Sequence, residues 1–228
     1  MRRNIYILLL TLSLPGIALL SGCSSPGKGS GNEGVIEYEV SPVNPKGPFA
    51  SMAPTNMILK YKDDKLVAEM NTGLSSLNIK LVSDNNKKRF TQYVRILNQK
   101  YSSTATSASL NILLKDLPEY DIKKTEDTKT IAGLTCNKAE IYARGTSTHL
   151  FDVWYTTEFK FSKPNWWNEF AGIDGMLMEY QMKRYNMDLH FIARNITSQL
   201  VDTADFNPKG NFKSISQREL NSYFDSFK

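Results

Sequence analysis

The segment that decides the fold is "GMLMEYQMKRYNMDLHF", residues 175–191. In an extended chain successive side chains point to opposite faces. Met176, Met178, Tyr180 and Met182 then share one face, and Leu177, Glu179, Gln181 and Lys183 take the other. Met187, Leu189 and Phe191 repeat the pattern after a break near Asn186. Period-2 alternation on both sides of a short polar break predicts two antiparallel strands with one apolar face.

The same grammar extends along the chain. "GVIEYEVS" (34–41) alternates, and "NMILKYK" (56–62) and "KLVAEMN" (65–71) flank Asp63-Asp64. "SLNIKLVS" (76–83) and "RFTQYVRIL" (89–97) flank "DNNKK", which predicts a solvated hairpin turn. "TKTIAG", "LTCNKAEIYA" and "LFDVWYT" follow as strands, and the run ends with "MDLHFIARNITSQLV". Short strands separated by polar turns predict a mainly β (α+β) fold, a single curved antiparallel sheet.

Helical signals are few. "SASLNILLKDLP" sets Leu110, Leu113, Leu114 and Leu117 on one stripe, ended by Pro118, and predicts a helix over 107–117. A helical turn is expected in "NWWNEFAG" (165–172). Ser216-x-x-Glu219 is a capping box, with Ile215 and Leu220 placed as a hydrophobic staple. It opens a helix expected over 216–227, with Leu220, Tyr223, Phe224 and Phe227 as its apolar stripe. No internal repeat or second linker is visible, so residues 34–228 are expected to form one domain.

The front of the chain reads differently. Met1-Arg2-Arg3 precedes a short apolar run broken by Thr11, Ser13, Pro15 and Gly16, the pattern of a secretory signal over 1–22. The run is shorter than the roughly 20 apolar residues of a spanning helix. Leu20-Ser21-Gly22-Cys23 resembles the lipobox of bacterial lipoproteins, and "CSSPGKGSGNE" (23–33) reads as a flexible tether. The resemblance implies a diacylglycerol on the Cys23 sulfur, cleavage before Cys23 and an acyl group on the new amino terminus. Several acyl chains hold a protein on a bilayer stably. Serines rather than aspartate follow Cys23, and no acidic cluster does. By resemblance to enterobacterial sorting, the expected address is the outer membrane, facing the periplasm.

Removing 1–22 lowers Lys+Arg from 28 to 26 against 23 acids, a net charge of +3. That is too mild, and its basic residues too scattered, to imply nucleic acid. With Cys23 lipidated, Cys136 has no intramolecular partner, and it is expected to be a small buried hydrophobe.

Three segments carry a further resemblance: "IAGLTCNKAEIY" (131–142), "VWYT" (153–156) and "FAGIDGMLMEYQM" (170–182). With the closing "DTADFNPKGNFKSIS", they resemble uncharacterised bacterial envelope proteins of the GLPGLI-like type, with Ile173-Asp174 where the namesake has Leu-Pro. That family is similar in architecture to the LolA, LolB and LppX carriers. The resemblance implies a half-barrel, helices over its concave face, and an apolar lipid pocket.

Four of the seven methionines left after signal removal lie between 176 and 187. Flexible, polarisable thioethers suit adaptable apolar surfaces, so Met176, Met178, Tyr180, Met182 and Met187 are candidate pocket residues. Trp166 and Trp167 are candidates for its rim. The other reading of the same residues is plain core. No H-E-x-x-H, C-x-x-C, G-x-S-x-G or phosphate-loop pattern occurs. His149 is expected to make a strand-end hydrogen bond. The expected protein is therefore a non-enzymatic lipoprotein that binds lipid or lipoprotein acyl chains. Apart from the acyl groups on Cys23 it needs no cofactor. The alternative is a solid interaction module that meets another envelope protein.

Overall fold

A computed structural model describes residues 32–46, 53–72, 77–115 and 117–225. The signal segment, Cys23 and nearly all of the tether lie outside the described residues. Strand β1 (Glu33–Pro42) already begins at the last residue of the expected tether.

Five strands follow β1 in a meander: β2 (Pro54–Lys62), β3 (Lys65–Thr72), β4 (Leu77–Asp84), β5 (Arg89–Ile96) and β6 (Gln99–Thr106). Helix α1 (Leu110–Leu114) leads to the opposite edge. There β7 (Tyr120–Ile131), β8 (Leu134–Ala143), β9 (His149–Thr156), β10 (Met176–Arg184) and β11 (Met187–Thr197) return until β11 pairs with β1. The chain then crosses to the first edge, where β12 (Lys213–Ser214) and helix α2 (Gln217–Asp225) close it. The result is one open, curved sheet of 12 strands in the order β12-β6-β5-β4-β3-β2-β1-β11-β10-β9-β8-β7.

Mainly β holds, but the expectation of a wholly antiparallel sheet does not. β12 runs parallel to β6, pairing Lys213 with Tyr101 and Ser214 with Ser102. The chain reaches that edge by crossing the sheet rather than by a hairpin, which sets the direction. β6 shows no clear alternation in the sequence because its inward residues beside Tyr101 are the small Ser103 and Ala105. β7 is longer than "TKTIAG" predicts. Its exposed, charge-rich stretch is what an edge strand requires to discourage pairing with another chain.

Helix content also differs. α1 spans five residues rather than the expected 107–117, and the 165–172 segment forms turns without a helix. α2 follows its prediction closely. The Ser216 backbone N–H and hydroxyl donate to Glu219 Oε2, both at 2.8 Å, and the Glu219 N–H donates back to Ser216 Oγ at 3.2 Å. Those bonds hold the Glu219 carboxyl below the usual carboxylate range.

The inner face of the sheet carries the main core, with Ile36, Tyr61, Ile79, Val94, Ile141 and Met178 among its buried side chains. On the outer face Val67 and Val82 are covered by Val201 and Phe206 from the returning segment, and Tyr93 packs beside them. Lys60–Asp205 at 3.0 Å ties that segment to β2, and Lys62, paired with Glu33 at 2.6 Å, also donates to the Val201 carbonyl at 3.0 Å, while Lys80–Glu69 at 2.9 Å links β4 to β3 on the same face.

Candidate functional site

The connection between β9 and β10, residues 157–175, lies over the inner face and fills it. Phe159, Trp166, Phe170 and Ile173 from this connection join the main core, and Phe170 and Ile173 are fully buried. Phe170 meets the rings of Tyr120, Phe151 and Tyr180 with centroids 6.0–6.4 Å apart. Asn165 fixes the loop's exit by donating to the carbonyls of Ile173 at 2.8 Å and Gly175 at 2.9 Å. A Cβ on Gly175 would lie 2.7 Å from the Thr156 carbonyl oxygen, so only glycine lets the chain pass β9 so closely.

Trp166 is therefore no rim. It is buried, and its indole N–H reaches Asn85 Oδ1 at 2.9 Å and Ser83 Oγ at 3.0 Å. The hairpin turn expected at 84–89 forms, and Asn86, Lys87 and Arg89 are exposed as expected, but its start is drawn inside: Ser83, Asp84 and Asn85 are buried because the connection lies over them. Hydroxyl and amide groups need such partners when dehydrated.

The methionine cluster is core. Met176, Met178, Tyr180, Met182 and Met187 are all buried. Strict alternation fails at a register irregularity between Leu177 and Glu179 against β9, and Leu177 is buried as well. Met176, Tyr180, Met182 and Trp167 border an interior space of about 50 Å³, whereas Met178 and Met187 do not. That is room for one or two waters, an order of magnitude short of an acyl-chain pocket lined by these residues.

The large space lies elsewhere. A cleft of about 700 Å³ opens where α1, α2 and the β10–β11 turn meet the start of β5. Known ligand pockets run from roughly 300 to 1,000 Å³. Phe90 and Trp167 stack along one wall with centroids 4.2 Å apart and planes 10° from parallel. Tyr185 and Phe224 form a second aromatic pair at 4.2 Å, and Leu113, Leu117 and Pro118 add apolar surface from the α1 side. Lys115, Lys183, Arg184 and Arg218 supply positive charge.

Polar contacts hold α2 over this cleft. Gln92 of β5 bonds Gln217, the Tyr185 hydroxyl donates to Gln92 Oε1 at 2.7 Å, and Asn186 Nδ2 donates to the Phe224 carbonyl at 2.9 Å. Tyr185 and Asn186 both adopt positive φ, 52° and 61°. A two-residue hairpin turn with the favoured twist needs positive φ at both positions, normally Asn-Gly or Asp-Gly. An aromatic there is uncommon. It places the Tyr185 ring in the cleft, and burial pushes its hydroxyl pKa up. This mismatch between residue and turn was the one sequence signal that could have found the site.

A buried ion pair joins the filled interior to the cleft. Arg184 Nη1 and Nη2 donate to Glu169 Oε1 and Oε2 at 3.1 and 2.7 Å, and the Glu169 side chain is fully buried. A two-pronged Arg–carboxylate pair is directional and strong. Trp167, two residues before Glu169, borders both spaces, and its buried indole N–H has no acceptor. An orphan donor of this kind costs about 1–3 kcal/mol.

The remaining candidates are structural. Cys136 is buried, and burial pushes its thiol pKa up to about 11, away from reactivity. His149 Nε2 lies 2.8 Å from Asp152 Oδ1 at the head of β9, as expected of a strand-end bond. Among the described residues, no three or more His, Cys, Asp or Glu side chains gather to hold a metal, and no helix is long and apolar enough to cross a membrane. The chain matches no protein-family model and no curated protein.

Proposed function

We propose that this protein is a non-enzymatic envelope lipoprotein, anchored through acyl groups on Cys23. In this reading its sheet serves as a half-barrel, and an acyl-bearing ligand binds in the cleft beneath α1 and α2. The observation that carries the proposal is the cleft itself: about 700 Å³ walled by the Phe90–Trp167 stack and the Tyr185–Phe224 pair. Burying apolar ligand surface there yields roughly 25 cal/mol per Å². Cys23 makes the outer membrane, on its periplasmic side, the natural source of such ligands.

The test is native mass spectrometry of the full chain purified in mild detergent. A non-covalent adduct of lipid mass is expected, separable from the covalent anchor on dissociation. Leu113→Trp, which narrows the cleft from the α1 side, should lose the adduct. A chain that carries no adduct, or one indifferent to Leu113→Trp, defeats the cleft as binding site. Cys23→Ser should abolish incorporation of labelled palmitate.

A second reading rests on the 50 Å³ interior. A sheet filled this well by its own loop suits an anchored scaffold that meets another envelope protein. Crosslinking in cells would then recover one protein partner and no lipid.

A further inference from the structure

Cations are distributed unevenly over this protein. Along the outer face lysines are matched to carboxylates, as in Lys62–Glu33, Lys80–Glu69 and Lys60–Asp205. Around the cleft, Lys115, Lys183 and Arg218 are exposed and make no salt bridge among the described residues. Arg184 is neutralised by Glu169, and among the described lining residues Asp225 is the only carboxylate. Three separate elements therefore contribute one positive charge each that meets no carboxylate at salt-bridge distance among the described residues: the end of α1, the end of β10, where Lys183 lies across the ladder from Asp188, and the first turn of α2. Between them lie the Phe90–Trp167 stack and Phe224.

An apolar wall under an unmatched cationic rim has a defined complement. We propose that the cleft selects an anionic amphiphile, its acyl chain against Phe90, Trp167 and Phe224 and its phosphate or carboxylate headgroup among Lys115, Lys183 and Arg218. The inference rests on the ligand-binding reading above and names the ligand class for that same cleft. A neutral or zwitterionic lipid would bury the same chain but leave the rim charges unanswered. Exposed charge contacts are individually weak, so three together amount to a preference of roughly tenfold, and salt reduces it.

The experiment uses the full chain and two monoacyl phospholipids carrying the same brominated chain, one with a phosphoglycerol headgroup and one with phosphocholine. Bromine near Trp167 quenches indole fluorescence, so each titration gives an affinity. The phosphoglycerol probe is expected to bind about tenfold more tightly at low salt, with the ratio shrinking as salt rises. Lys183→Gln with Arg218→Gln should bring the two affinities together, and because both side chains are exposed the unfolding midpoint serves as a check that the fold persists. Equal affinities in the parent chain overturn the headgroup inference while leaving the ligand-binding reading intact. Failure of both probes to bind overturns that reading instead. Displacement of the probe by glycerol phosphate alone, at concentrations matching the probe, would mean a site for free anions and overturn the amphiphile proposal.

Discussion

At the centre of the sheet the 157–175 connection leaves about 50 Å³ unfilled, whereas at the end framed by α1 and α2 about 700 Å³ stays open. Adjacent tryptophans mark the two conditions. Trp166 is locked by Ser83 and Asn85 in the filled region. Trp167 stacks on Phe90 at the cleft wall, and its buried N–H goes unanswered. The difference teaches that a bent sheet needs no ligand to close its inner face, since a loop rich in aromatics does so. Open volume is then left where that loop does not reach. The filled region should be sensitive to any loss of volume or hydrogen bonding, and the cleft tolerant of both.

Phe170→Ala cuts deepest. The ring is fully buried among Tyr120, Phe151 and Tyr180, and truncating such a side chain costs about 3–5 kcal/mol. Urea unfolding should show the midpoint falling accordingly. A loss below about 1 kcal/mol would break the comparison.

The two glycines of Gly172-Ile173-Asp174-Gly175 should separate next. An added Cβ at Gly175 meets the Thr156 carbonyl oxygen at 2.7 Å, while at Gly172 its nearest neighbour is Ile122 Cδ1 at 3.5 Å. Gly175→Ala should cost about 2 kcal/mol, typical of overpacking, and Gly172→Ala should be near neutral by the same unfolding measurement.

The tryptophan pair sharpens the contrast further. Trp166→Phe removes the donor that serves Ser83 and Asn85 and should cost about 1–3 kcal/mol. Trp167→Phe removes a donor that is buried without an acceptor, so thermal unfolding should show no loss, and a gain of up to about 1–3 kcal/mol as the unmet desolvation cost is relieved. Two similar shifts would mean that the neighbours are equivalent after all.

The smallest effect concerns acid. The bonds from Ser216 hold the Glu219 carboxyl below its ordinary value of 4.5. A depressed carboxyl stabilises the fold above the unfolded value, and that contribution is lost as pH falls through the folded one. Below pH 4.5 the start of α2 should fray over the cleft, while the 165–173 loop holds. Hydrogen exchange between pH 6 and about pH 3, corrected for intrinsic rates, should therefore rise in α2 first.

Much of the sheet was legible because strand character is a local property. Alternation marked β1 to β5 and β8 to β11, and the capping box placed α2 to within a residue or two. β6 escaped because serine and alanine pack inward there, and β7 was cut short because its charged edge lacks an apolar face. The candidate pocket residues of 175–191 face inward as their alternation implies, and of the two readings open to the sequence, pocket wall or plain core, their burial favours core. Of the residues proposed from the sequence to line a pocket or its rim, Trp167 alone borders the cleft.

The order of residues along the chain thus dictated which stretches extend, which faces turn inward and where the last helix starts. Each of these follows from side-chain period and from hydrogen bonds between near neighbours. Where empty space would remain was settled by contacts across the fold: Phe90 and Gln92 from β5, Leu113 from α1, Trp167 from the connection, Tyr185 from a turn and Phe224 from α2. Free volume is what remains after distant segments have packed, and no local pattern encodes it.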